Sequence, residues 1–225
     1  MNNKTIKGIL VITFISILIM YIVDYIVNPG YIYKSAIKIV VFLILPVVYT
    51  LYDKNIKLKY IFKIKSRRDL IYSIILGLAI YFGILTAYFL LKNFIDLDNI
   101  VGVLDKNVKV NRSNFLWIAL YISFINSLLE EFFFRGFIFL NLKKISKRKF
   151  AYIISAVAFS IYHVAIMANW FNPVIFLLAM IGLFIGGVIF NYLNEKNENI
   201  YNSWVVHMMA NFSINTIGFI MFRMI

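Results

Sequence analysis

Seven runs of apolar residues, at roughly 8–27, 34–52, 70–91, 114–140, 150–168, 172–191 and 200–222, fix the architecture before any other feature is read. Each is close to the ~20 residues that a helix needs to cross a bilayer core. In lipid no water pairs with backbone N–H and C=O groups, so a spanning segment must satisfy them itself. Helices do this within one segment, whereas strands do it only in closed barrels. Long apolar runs without alternation therefore predict an all-α, polytopic transmembrane bundle of about seven spans. Composition agrees: 62% of residues are hydrophobic and 15% are charged, against about 45–50% and 25% in soluble domains.

The net charge of +13 would suit nucleic acid, but the cations sit in short links between the apolar runs. That is the pattern of cytoplasmic loops against anionic lipid, so the bilayer is the expected partner and nucleic acid is not. The connection from Asp53 to Asp69 carries seven Lys and Arg residues, alternating with apolar ones such as Ile56, Ile61 and Phe62. It is expected to lie on the membrane surface. A second cluster, Lys143, Lys144, Lys147, Arg148 and Lys149, follows the fourth run. Both belong on the cytoplasmic side, which places the N-terminus there too. Lys4 and Lys7 precede the first run and no small-residue cleavage site follows it, as expected of a retained span. The absence of cysteine excludes disulfides, a thiol nucleophile and thiolate metal ligands. Ala179, Gly182, Gly186 and Gly187 form a small-residue ridge expected to pack closely on another helix. Asp24, near the end of the first run, is expected at the interface.

The fourth run contains Asn126-Ser127-Leu128-Leu129-Glu130-Glu131-Phe132-Phe133-Phe134-Arg135-Gly136, with three ionisable groups within six residues. Each costs about 2.5–3.5 kcal/mol at the bilayer centre, so they must find partners in the protein or in a watery cavity. The chain has two histidines, and both lie in spans: His163, one turn after Phe159, and His207, one turn before Asn211. At ~1.5 Å of rise per residue, Glu130, His163 and His207 fall at one level. Helical spacing pairs Glu131 with Arg135 and His207 with Asn211, and turns Glu130 away from Glu131, towards His163. A carboxylate beside an imidazole can activate water, and an imidazole beside an amide can stabilise an oxyanion. The same groups also suit a proton relay in a transporter or hydrogen bonding between helices.

The ordered set Glu130-Glu131-x-x-x-Arg135-Gly136, Phe159-x-x-x-His163 and His207-x-x-x-Asn211 resembles the three-motif signature of the CPBP (Abi) family. These are intramembrane endopeptidases related to the type II CAAX prenyl endopeptidase. The resemblance covers about residues 115–215. It divides the chain into N-terminal spans with the basic loop (1–113) and a catalytic membrane core (114–225). It implies hydrolysis of a peptide bond in a membrane-associated peptide or protein, with Glu130 as base and His163 holding the attacking water. His207 and Asn211 would form the oxyanion hole, and Glu131 and Arg135 would support it or bind a polar end of the substrate. No cofactor is expected; zinc remains an alternative, and Glu130, His163 and His207 would be its ligands. The abundance of Ile, Lys and Asn suggests a bacterial plasma membrane and a bacterial peptide or membrane-protein substrate in preference to a prenylated one. The competing reading is a non-catalytic membrane immunity or regulatory protein of the same fold. Glu130→Ala separates the two, on the expectation that the fold tolerates loss of this carboxylate.

Overall fold

The computed structural model describes residues 3–225, the side chain of Val108 excepted. Among these the regular elements are helices, and seven are long and apolar enough to cross a membrane. They are α1 (Asn3–Val27), α2 (Tyr31–Tyr52), α3 (Arg67–Phe94), α5 (Phe115–Ile145), α6 (Arg148–Met167), α7 (Pro173–Asn197) and α8 (Tyr201–Met221). A short helix, α4 (Leu97–Val108), lies between α3 and α5. The all-α polytopic bundle expected from the apolar runs is what the chain forms.

Local chemistry sets the boundaries. Ser66 accepts a hydrogen bond from Asp69 N at 3.2 Å and starts α3, and Asp96 accepts from Asn99 N at 2.9 Å and starts α4. Asn172 accepts from the N–H groups of Val174 and Ile175 at 3.1 and 3.0 Å, ahead of Pro173. These caps satisfy N–H groups that no helical carbonyl can reach. Between α1 and α2 the chain reverses through Asn28 and Gly30, both at positive φ (45° and 84°), a conformation that glycine adopts without steric cost.

Four stretches widen into π-helix: Ile22–Val27, Val40–Ile44, Ile122–Asn126 and Glu131–Phe139. The second ends two residues before Pro46, which has no N–H and whose ring crowds the carbonyl one turn earlier. The wider turn accommodates that ring. The last two flank Glu130, and π-turns inside α-helices concentrate at functional sites.

α5 is the central helix, buried without interruption from Leu129 to Leu142. A helix enclosed on all sides is apolar all round, which explains the phenylalanine-rich sequence of this segment. Phe42 of α2 stacks on Phe133 at 4.2 Å and meets Phe134 edge-on at 5.4 Å. The outer helices keep large apolar side chains exposed, including Phe14, Leu90 and Val174, as lipid-facing surfaces require.

The basic links gather at one end. Asn55 Nδ2 donates to Thr5 Oγ1 at 3.3 Å, Ile200 N donates to Ile61 O at 3.0 Å, and Lys65 and Lys144 flank Glu198 at 3.6 and 3.7 Å. At the other end Asn99 Nδ2 donates to Asn169 O at 3.1 Å and Asn172 Nδ2 to Phe94 O at 3.2 Å. Placing both basic clusters on one face is what the sequence asked for.

Two local expectations need correction. The Asp53–Asp69 connection does not simply lie on a surface. Ile56 and Ile61 are buried in the core, and Lys57 N donates to Asn141 Oδ1 at 3.0 Å. A Cβ on Gly136 would sit 2.5 Å from Ile61 Cδ1, so this glycine makes room for the docked loop. Phe62 and Ile64 stay exposed. Asp24, at the end of the first span, is buried, 2.7 Å from Lys34. The small-residue ridge is used at one of its glycines: a Cβ on Gly187 would fall 3.0 Å from Ala156 Cα of α6, whereas nothing lies within 4 Å of one on Gly182 or Gly186. Gly187→Leu is therefore expected to destabilise the fold by about 1–3 kcal/mol through overpacking. Gly182→Leu should be neutral, and unfolding in detergent compares the two.

Candidate active site

Glu130 sits at the middle of α5 with its carboxylate 2% exposed. Its two oxygens have different surroundings. Oε1 accepts from Lys38 Nζ at 2.5 Å and from Asn126 Nδ2 at 2.9 Å. Oε2 has no hydrogen-bond partner. It lies 3.6 Å from His207 Nε2 and 4.0 Å from His163 Nε2. Three helices thus deliver one carboxylate oxygen and two ring nitrogens to one point. Glu130, His163 and His207 come together as the shared level implied, with His207 the nearer histidine.

The far side of each ring sets its tautomer. His163 closes the long turn of α6, where its Nδ1 is 2.8 Å from Phe159 O. A carbonyl only accepts, so Nδ1 carries the proton and Nε2 of the neutral ring presents a lone pair to Glu130. His207 Nδ1 is 2.9 Å from Glu131 Oε1. Here the partner is a carboxylate, which holds the ring in orientation with Nε2 directed at the site.

Glu131 is itself secured. Ser203 Oγ, one turn before His207 on α8, donates to Oε2, and Arg135 Nη1 lies 3.3 Å from Oε1. The Arg135 guanidinium is fully buried, 4.2 Å from the Phe159 ring centre and 4.8 Å from that of Phe190. Phe190 also stacks on His207 at 5.2 Å. Glu131 and Arg135 are both sealed from solvent, and Glu131 is the one of the two that contacts His207.

Asn211 is one turn beyond His207 and partly exposed. Its Nδ2 donates to Ile122 O at 3.2 Å, the carbonyl that the widened turn of α5 also offers to Ser127 N. One N–H is thereby used, and the amide keeps a second.

Sequence reasoning missed Lys38. It is 3% exposed, donates to both Glu130 and Asn126 Oδ1 at 2.5 Å, and lies over the Tyr162 ring at 4.7 Å. The signal was available: a lysine inside the second apolar run needs a partner as much as Glu130 does. Asn126 bridges the two charges.

Residues 112–213 match the family model described as type II CAAX prenyl endopeptidase Rce1-like. That segment, somewhat under half of the 225 residues, contains all three motifs. No curated protein and no solved structure matches the chain. The segment is thus similar to a family of intramembrane proteases, in agreement with the resemblance carried by the motifs, and the seven apolar helices fit an integral membrane protein acting on a membrane-associated substrate.

Proposed function

We propose that this protein is an intramembrane endopeptidase in which Glu130 Oε2 and His163 Nε2 activate water. The unpartnered carboxylate oxygen facing two imidazoles, deep in the bundle, carries this reading. A water between two acceptors, Oε2 and the His163 lone pair, donates one proton to each and turns its own lone pair to the scissile carbonyl. Glu130 takes the proton as the C–O bond forms. His207, its ring oriented by Glu131, donates Nε2–H to the developing oxyanion, and the free N–H of Asn211 is the second donor. Glu130 then returns its proton to the departing amine as the C–N bond breaks. The substrate is a membrane-associated peptide or protein in a bacterial plasma membrane, because a buried, lipid-enclosed site receives peptide from the bilayer.

Glu130, His163 and His207 carry the donor types that zinc takes. Among the described residues, however, no group of three such side chains is gathered closely enough to hold a metal ion. The Lys38 ammonium already occupies Glu130 Oε1, and a dication would have to share the carboxylate with it. Both points favour a metal-free reaction. Activity that survives exhaustive chelation supports this; loss on chelation and recovery with zinc would reverse it.

The decisive comparison profiles small peptides from cells carrying wild type or Glu130→Gln, at matched protein levels in the membrane. A defined fragment present with wild type and absent with the variant establishes the protease, and its ends name the substrate. Matching profiles, with the wild-type phenotype retained in the variant, would favour a non-catalytic immunity or regulatory role. A farnesylated, internally quenched peptide and its unprenylated twin then decide whether a prenyl group is required.

A further inference from the structure

We infer that Lys38, working with Asn126, is a positioning residue for Glu130, fixing which carboxylate oxygen acts as base. The inference deepens the protease reading and rests on it. Lys38 comes from α2, outside the matched segment of residues 112–213.

The geometry is asymmetric. Oε1 receives two donors, Lys38 Nζ at 2.5 Å and Asn126 Nδ2 at 2.9 Å. Oε2 receives none and is the oxygen that faces both histidines. Lys38 Nζ also donates to Asn126 Oδ1 at 2.5 Å, so the amide is locked with its NH₂ group towards the carboxylate. Lys38, Asn126 and Glu130 form a closed ring of three hydrogen bonds, each with an ionised donor or acceptor and therefore of the stronger kind.

A free carboxylate rotates about its last bond and exchanges its oxygens. With Oε1 clamped, rotation breaks two bonds, and Oε2 stays on the histidine side. The ammonium is in turn held over Tyr162 at 4.7 Å and Phe42 at 5.4 Å. Tyr162 directly precedes His163 in α6, and Phe42 stacks on Phe133 of α5 at 4.2 Å. Lys38 therefore ties together the helices carrying base and water-holding histidine. It acts through Glu130.

The substrate-free test is the infrared antisymmetric carboxylate stretch of Glu130 in purified, ¹³C-glutamate-labelled protein, assigned by its loss in Glu130→Gln. Lys38→Met should move this band and Lys38→Arg should largely restore it, because a guanidinium still donates to Oε1. An unmoved band in Lys38→Met overturns the proposal. In parallel, the fluorogenic peptide cleaved by wild type should show kcat about 100-fold lower in Lys38→Met, the scale of an ångström's misplacement. KM should stay within about threefold, and Lys38→Arg should recover much of kcat. Full kcat in Lys38→Met, with Glu130→Gln inactive, sinks the role of Lys38 and leaves the protease reading standing. Activity in Glu130→Gln sinks both. If Lys38→Met does not accumulate, Asn126→Leu carries the test, since it removes the other Oε1 donor without stranding a charge. There a tenfold fall in kcat is expected, and an unchanged kcat overturns the proposal.

Discussion

Glu130→Gln is expected to lower kcat by about 10²–10⁴-fold, the range a positioned general base contributes. The amide preserves shape, but its oxygen cannot take a proton from water. Sequence reasoning expected the fold to be indifferent to losing this carboxylate. The structure says otherwise, because Lys38 Nζ is 2.5 Å away and buried. Removing one partner of a buried ion pair strands the other and typically costs about 3–5 kcal/mol. Glu130→Gln should therefore unfold more readily than wild type as well as being inactive. Those two effects have different origins and can be separated. The double variant Lys38→Met/Glu130→Gln removes both charges, so it should regain much of the lost stability and remain inactive. Unfolding midpoints in detergent and peptide cleavage at matched folded concentration measure the two. Cleavage by the double variant at the wild-type rate would refute Glu130 as base.

How legible the site was depends on what kind of signal each residue gives. The spans were readable because bilayer thickness sets a length that the apolar runs must meet. Glu130, His163 and His207 were readable because ionisable groups inside such runs are costly, and three of them fell at one level. Lys38 obeys the same logic. It sits four residues after Lys34 near the start of the second run, where lysine is easily taken for a flanking residue that reaches the interface. The fate of the Asp53–Asp69 connection was not decidable from pattern, since alternating basic and apolar residues suit a lipid surface and a protein groove equally. Ile61 chose the groove because Gly136 leaves a space for it. The widened turns of α5 are a tertiary outcome too. They shift side-chain phase along the helix, so spacing alone could pair Glu131 with Arg135 but could not show that Glu131 also reaches His207 and Ser203.

That shared use of Glu131 makes Arg135→Met as costly to stability as Glu130→Gln, a loss of about 3–5 kcal/mol. The guanidinium is 0% exposed, and the structure gives its nitrogens no hydrogen-bond partner. What holds it is the charge of Glu131 at 3.3 Å and the faces of Phe159 and Phe190. Methionine fills part of the volume but leaves Glu131 short of a counter-charge in a site that water does not reach. Adding Glu131→Gln should return part of the lost stability by removing the stranded charge. It should not return activity, because the carboxylate that orients His207 has gone with it. A merely structural ion pair would behave differently: the double variant would regain cleavage in step with its unfolding midpoint. An unfolding midpoint for Arg135→Met equal to that of wild type would show instead that Glu131 is balanced by His207 and Ser203 without the arginine.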